Sequence, residues 1–462
     1  MKQLKIYLMF LTFIILFSQT FISSYIKLSF STYKPFFPHF NSSDYFSIQT
    51  FLTNSIYSNL IIGSPPQKII ANLNFNDYAF NIYNNQCDIP SEYNCIIKNS
   101  TTRINKGYIL TDVYVDTFLL EDIFSLPHEP YNCFKLNYIY APLNNNIYEQ
   151  NMDKKKYTCA NIGLKLSVDY AGTLDYNFLR ELKSLDIIEN YVFYLYYNDT
   201  KKEEGELIIG KWPHEIDKDK FNFLNYREVY AINNKFILSW MFRFDKLFIE
   251  YIDNNKIIKY NLTEDLEAEI DYNLNVIYGT FNFMILIERI YFNKRTEKGI
   301  CNKINLKDNS LIYYECEKSL DIKAFPEINF LHKTLSSEFI LSYDDVFILE
   351  NNKYIFLIWF DIAKNKNIWR LGKPFLKKYL FIFDLDKKTI GYYINKNKNS
   401  ISSLEDENNA SIKSTIIKLI LLSIIAFVLC YIITKCYYQQ KRNNLNKNKF
   451  TELIYMNYEA EK

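Results

Sequence analysis

The chain has four histidines, His39, His128, His214 and His332, and none stands where it would activate a nucleophile. Hydrolysis by a Ser/His/Asp arrangement needs an imidazole held against a hydroxyl, so that chemistry is not expected, and each His reads as an ordinary surface or core residue. Six of the eight cysteines, Cys87, Cys95, Cys133, Cys159, Cys301 and Cys316, lie between the two most apolar segments. None of them is spaced closely enough to another for a structural zinc site, and the histidines are too few to complete one; no metal is expected. No phosphate-cradling Gly-rich loop and no heptad run occurs, so no cofactor is expected either. Lys and Arg number 54 against 52 Asp and Glu, a net charge of +2, with the two signs interleaved. That pattern names no electrostatic partner and excludes a nucleic-acid stripe.

The elements that would position any chemistry come next. At roughly 150 residues per domain, 462 residues allow two or three domains. An aromatic share of 18%, with 40 Tyr and 37 Phe, favours strands. Residues 1–17 combine Lys2 and Lys5 with an apolar run too short to span a bilayer, the pattern of a signal peptide. Residues 419–434 carry no charge, and Ile416, Ile417 and a snorkelling Lys418 extend them to the length needed to cross hydrocarbon. Lys435, Lys441, Arg442, Lys447 and Lys449 follow that stretch, and Glu405, Asp406 and Glu407 precede it. Positive-inside bias then puts the tail in the cytosol. The expected protein is a single-pass type I membrane protein with its ectodomain in the lumen of the secretory or endolysosomal system or at the cell surface.

An oxidising ectodomain suits an even number of cysteines. Sequence alone permits 15 pairings of six, and short loops favour Cys87 with Cys95 and Cys301 with Cys316. Cys430 and Cys436 lie in or beside the membrane segment. Asn41, Asn99, Asn198, Asn261 and Asn409 each begin an N-glycosylation sequon. Between the apolar ends, short β-branched and aromatic runs are broken by Asn, Asp and Pro, as in 191–197, 236–242 and 354–359. Helical spacing appears at Leu179, Leu182 and Ile187, and at Phe283, Leu286, Ile287 and Ile290. Each helical stretch follows a strand-rich block, which suggests two related halves. The expected divisions are a signal peptide at 1–24, a short N-terminal segment at 25–48, lobes at 49–215 and 216–397, a stalk at 398–413, a membrane helix at 414–434 and a tail at 435–462.

Glycine is scarce, 10 in all, so its neighbours are informative. Gly63-Ser64-Pro65-Pro66-Gln67 follows an apolar run, Ala160-Asn161-Ile162-Gly163-Leu164 is an apolar block, and 205–210 is a strand bracketed by glycines. Pro326-Glu327-Ile328-Asn329-Phe330, then Trp369-Arg370-Leu371-Gly372, Phe375-Leu376 and Phe383-Asp384 complete the series. These blocks, in this order from about residue 48 to 395, resemble the pepsin-like aspartic proteases (peptidase family A1). The resemblance implies an all-β, bilobal fold with a central cleft, here followed by a C-terminal transmembrane helix. It also implies catalysis by two aspartates, one per lobe, each within an Asp-Thr/Ser-Gly triplet. One carboxylate deprotonates the attacking water while the other, protonated, polarises the peptide carbonyl.

Seven residues after Gln67, where the family places its first Asp, stands Asn74, followed by Phe75, Asn76 and Asp77. The second triplet aligns with Asp271-Tyr272-Asn273, which keeps the Asp but loses the hydroxyl residue and the Gly. The resemblance implies a flap Tyr three residues before a Gly; with Gly107 as that Gly, Ile104 stands there, and the alternative register gives Ser100. The expected cleft residues are therefore Asn74, Phe75, Ile104, Gly107, Asp271 and Tyr272. An amide cannot act as a base, so hydrolysis is expected to fail. Asp271 is expected to bond Asn74, and Asp77 to be a solvated turn residue on the opposite face. The leading reading is a membrane-tethered, monomeric pseudoprotease whose cleft binds an extended peptide or protein segment. Alternatives are an active aspartic endopeptidase with a divergent site, and a surface or sorting scaffold.

Overall fold

The computed structural model describes residues 25–32, 48, 51–84, 100–109, 117–126, 129–142, 160–166, 177–198, 200–201, 203–232, 239–253, 256–263, 266–306, 310–362 and 367–394. Among them strands predominate and helices are short, as the aromatic and β-branched runs predict. Side chains alternate across a strand, and the strand Gln67–Asn74 follows that rule by burying Ile69, Ala71 and Leu73. The preceding strand, Ile56–Ile62, buries Ile56, Leu60 and Ile62 in the same way.

Thirteen described strands form one sheet. It runs from Tyr226–Tyr230 through Thr389–Tyr393, Phe381–Asp384, Val192–Tyr197 and Glu204–Ile209 to Ile26–Thr32, Ile56–Ile62 and Gln67–Asn74. It continues through Ala160–Gly163, Phe80–Asn84, Glu129–Pro142 and Thr117–Leu126 to Ile104–Ile109. Strands from both halves of the chain thus meet in it, Phe381–Asp384 pairing antiparallel with Val192–Tyr197. The N-terminal strand Ile26–Thr32 is inserted antiparallel between Glu204–Ile209 and Ile56–Ile62. Its end is tied down by Glu203, which accepts from the Thr32 hydroxyl and lies 2.5 Å from Lys373 Nζ and 2.9 Å from Lys377 Nζ. Burial acts to raise the Glu203 carboxyl, but the bonds from Lys373 and Thr32 outweigh it and bring it down to about 2.

The second half adds a nine-stranded sheet, including Glu267–Ile270, Ile368–Leu371, Ile277–Gly279 and Ile358–Asp361, and a four-stranded one built on Lys246–Asp253 and Glu327–His332. Trp359 stacks on Tyr313 with ring centroids 4.2 Å apart, and Phe51 stacks on the same Trp359 ring at 5.6 Å. Cys301 and Cys316 are register partners on neighbouring antiparallel strands and form the disulfide expected from their short loop.

Both predicted stretches contain helices, although the first stops at Ser184, short of the expected Ile187. Asn177 caps Phe178–Ser184, which buries Leu179 and Leu182. Thr280 caps Phe281–Ile287, and the helix carries on through Glu288–Phe292 and Asn293–Glu297. No described helix is long and apolar enough to cross a membrane. The expected signal peptide, stalk, 414–434 membrane segment and tail lie outside the described residues, as do Cys87, Cys95, Cys159, Cys430 and Cys436. Cys133 is described, exposed on the strand Glu129–Pro142. Of the sequons, Asn198 and Asn261 are exposed, while Asn41, Asn99 and Asn409 fall outside the described residues.

Candidate active site

Two strand ends, one from each half, are built alike. Gln67–Asn74 runs parallel to Ala160–Gly163, with Asn74 opposite Gly163. Glu267–Ile270 runs parallel to Ile368–Leu371, with Ile270 opposite Leu371, so Asp271 follows on where Gly372 follows Leu371. Both glycines are dictated by crowding. A Cβ on Gly163 would lie 2.3 Å from the carbonyl carbon of Tyr78, and one on Gly372 would lie 2.0 Å from the carbonyl oxygen of Val276. The chain thus turns back over the parallel partner at both places, and the turn presents Asn74 in one half and Asp271 in the other.

Asp271 is 1% exposed. Its Oδ1 accepts the Asn273 N–H at 2.9 Å, and its Oδ2 lies 2.5 Å from Arg370 Nη2. Arg370 also lies within ion-pair distance of Glu269, 3.4 Å from Nε to Oε2, and its guanidinium faces the Tyr278 ring at 5.5 Å. Burial pushes the Tyr278 hydroxyl up to about 12, against the nearby positive charge of Arg370. A guanidinium is a permanent cation with donors only. The proton that two carboxylates share in aspartic-protease chemistry has no counterpart in a carboxylate–guanidinium pair.

In the first half, Asn74 Oδ1 accepts the Asn76 N–H at 2.8 Å, and its carbonyl accepts from Leu164 N–H at 2.8 Å. The expected bond between Asn74 and Asp271 does not form: both carboxylate oxygens of Asp271 are taken by Asn273 and Arg370. Asp77 also departs from expectation. It is half-buried and not solvated, because the strand ends at Asn74 and strand alternation no longer dictates where residue 77 points. Its carboxylate accepts from Ala79 N–H at 3.0 Å, Asn81 Nδ2 at 3.0 Å and Asn161 Nδ2 at 2.9 Å. Burial raises the Asp77 carboxyl above its usual 3.8, the hydrogen bonds opposing the rise.

The two turns are joined by a residue that motif reading passes over. Asn273 stands where the resemblance places a Gly; its Oδ1 accepts the Phe75 N–H at 2.8 Å and its Nδ2 donates to the Leu73 carbonyl at 3.2 Å. One carboxamide therefore satisfies the peptide groups on both sides of Asn74. Asn54 adds to the link, its N–H donating to the Asn273 carbonyl at 2.7 Å and its Nδ2 to the Tyr272 carbonyl at 2.7 Å. Phe75 and Tyr272, which stand where the resemblance places hydroxyl residues, pack with ring centroids 4.5 Å apart within a buried cluster with Phe193 and Phe383. The Tyr272 hydroxyl has no hydrogen-bond partner among the described residues, and burial pushes it well above its usual range.

Ile104 and Gly107 sit on the hairpin strand Ile104–Ile109, whose register against Thr117–Leu126 shifts between Asn105 and Gly107. Ile104 is exposed. Ser100, the alternative flap position, is fixed at the base of this hairpin, donating to Asp122 at 3.0 Å and accepting the Ser64 N–H at 3.3 Å. Of the histidines, His214 bonds the Tyr393 hydroxyl and His332 is buried 3.9 Å from Asp245, while His39 and His128 lie outside the described residues. Among the described residues no cluster of His, Cys, Asp and Glu is arranged to hold a metal.

No curated protein matches the chain. Residues 162–393 match the eukaryotic aspartyl protease family, a span that takes in the Asp271 turn, Arg370 and the closing Phe383-Asp384 strand and begins after Asn74. With half the sequence matched and the strand turns repeated in both halves, the chain belongs to the eukaryotic aspartyl protease family.

Proposed function

We propose that the protein is a membrane-anchored pseudoprotease, a type I member of its family that holds an extended peptide or protein segment between its halves without cleaving it. The ion pair between Arg370 and Asp271 carries this reading. Peptide hydrolysis in the family needs one group to take the proton of water while a protonated partner polarises the carbonyl. Asn74 offers an amide in place of the first carboxylate, and the second carboxylate is committed to a cation and a backbone N–H. Asp77 is no substitute, since its oxygens are occupied by Asn81, Asn161 and Ala79. The whole site has therefore moved away from acid–base work, and its residues now bond to one another.

Binding without chemistry needs fewer parts. An extended segment adds main-chain hydrogen bonds to exposed strand edges, and the hairpin strand Ile104–Ile109, which ends its sheet and is exposed at residues 104–106, would flank it together with the Asp271 turn. Membrane anchoring rests on the uncharged stretch at 419–434 and the basic residues after it. The ectodomain would then occupy a lumen of the secretory or endolysosomal system or the cell surface. The test is photocrosslinking of an extended, randomised peptide library to the full chain. Adducts at 104–109 and 271–275, with the captured peptides recovered intact, are the expected result. Peptide capture that ignores these positions would leave only a scaffold role.

A further inference from the structure

The turn Phe223–Asn225 carries the most exposed pair of adjacent apolar side chains among the described residues, Phe223 at 63% and Leu224 at 53% exposed. Ile216, in the helix Pro213–Ile216, is exposed as well, and the Phe223 ring packs 5.0 Å from the ring of His214 in that same helix. Trp212, Phe221 and Tyr226, neighbours in sequence, are half-buried and pack against the core of Val192, Ile208 and Tyr393. Exposed apolar side chains that gather in one place, backed by aromatics with polar tips, mark an interaction surface. Between residues 211 and 228, Lys211, Lys218, Lys220 and Arg227 are balanced by Glu215, Asp217, Asp219 and Glu228, four charges of each sign and a net of zero. A charged partner is therefore not what the patch selects.

The position of the patch indicates its occupant. The last described residue, Ile394, donates its N–H to the carbonyl of Asn225, 2.9 Å away, so the described chain ends against the very turn that presents Phe223 and Leu224. Nineteen residues, 395–413, separate that end from the apolar stretch at 414–434. Fully extended they reach about 65 Å, so the tether permits but does not force contact with a bilayer. A tether of this length gives an effective concentration on the order of millimolar, enough for a surface of weak intrinsic affinity to stay occupied. Phe, Leu, Trp and Tyr are the side chains that settle at the boundary between headgroups and acyl chains.

We propose that the Ile216, Phe223 and Leu224 patch docks on the surface of the bilayer that holds the chain's own anchor, with uncharged lipid as its partner. The inference rests on the anchored reading above. The test reconstitutes the full chain in phosphatidylcholine vesicles containing a diazirine-bearing phosphatidylcholine, and maps the labelled peptides by mass spectrometry. Labelling of 212–226 is expected, falling at least fivefold in Phe223→Asp with Leu224→Asp. The milder Phe223→Ser with Leu224→Ser provides the same readout should the charged pair disturb folding. Labelling of 414–434 without 212–226 overturns docking and leaves the anchor standing. Labelling of 212–226 without 414–434 supports docking and removes the anchor. Crosslinks from the patch to a second copy of the chain in place of lipid also overturn the proposal.

Discussion

Asn161 and Arg370 occupy the same place in the two halves of the molecule. Each stands two residues before the glycine at the end of a strand that runs parallel to the one delivering the candidate catalytic position, and each reaches toward a carboxylate, half-buried in Asp77 and buried in Asp271. Asn161 bonds Asp77, three residues beyond Asn74, whereas Arg370 bonds Asp271 itself. The amide leaves burial as the dominant influence on Asp77, so its carboxyl rises. The guanidinium supplies a full opposite charge. One half thus keeps a carboxylate that takes up a proton more readily but is enclosed by amides. The other keeps a carboxylate at the candidate catalytic position, paired with a cation from the neighbouring strand.

Arg370→Leu breaks this contrast most severely. It leaves the buried carboxylate of Asp271 with only one N–H donor; losing a partner of a fully buried pair costs about 3 kcal/mol or more, and with the Arg370 side chain 30% exposed about 2–3 kcal/mol is expected here. Arg370→Leu combined with Asp271→Asn should recover much of that loss in urea unfolding, because the uncompensated charge is gone; additive costs would show that the pair is not coupled. Asn273→Ala comes second. It orphans the Phe75 N–H and the Leu73 carbonyl, a cost of about 2 kcal/mol, measurable in the same unfolding assay and not recovered by acid.

The smallest effect is expected from Asn161→Ala, about 1 kcal/mol at neutral pH, and its pH dependence sharpens the comparison. Because the folded value of Asp77 is raised, the group favours the folded state below the ordinary 3.8, and that contribution is lost as pH rises through the elevated value. Removing the Asn161 donor, which acts to lower it, moves the value further up. The variant's deficit should therefore be largest at neutral pH and shrink in acid. A deficit independent of pH would separate Asn161 from the charge on Asp77.

Much of the architecture is legible locally. Alternating burial in Gln67–Asn74, the helix after Asn177 and the Cys301–Cys316 pair all follow from neighbours a few residues apart. The order of the glycine blocks is sufficient to indicate the family. The site is harder to read, because its decisive bonds span long separations: Arg370 to Asp271 across 99 residues, and Asn273 to Phe75 across 198. An Arg inside Ile-Trp-Arg-Leu, opposite Glu269, is a visible anomaly, but sequence does not say which acid it meets. Strand alternation does not extend past Asn74, so it says nothing of where Asp77 points. Asn273 stands where the resemblance places a glycine, and motif spacing does not show that its amide, with one donor group and one acceptor, matches the two peptide groups flanking Asn74.

The same geometry explains why restoring one residue should not restore chemistry. Asn74→Asp alone would still face a carboxylate claimed by Arg370, so it is expected to remain inert. The most direct test measures hydrolysis of a denatured protein by the full chain from acid to neutral pH, beside its Asp271→Ala variant. The predicted result is no cleavage above that variant at any pH. Cleavage by the natural chain that disappears in Asp271→Ala would contradict the account.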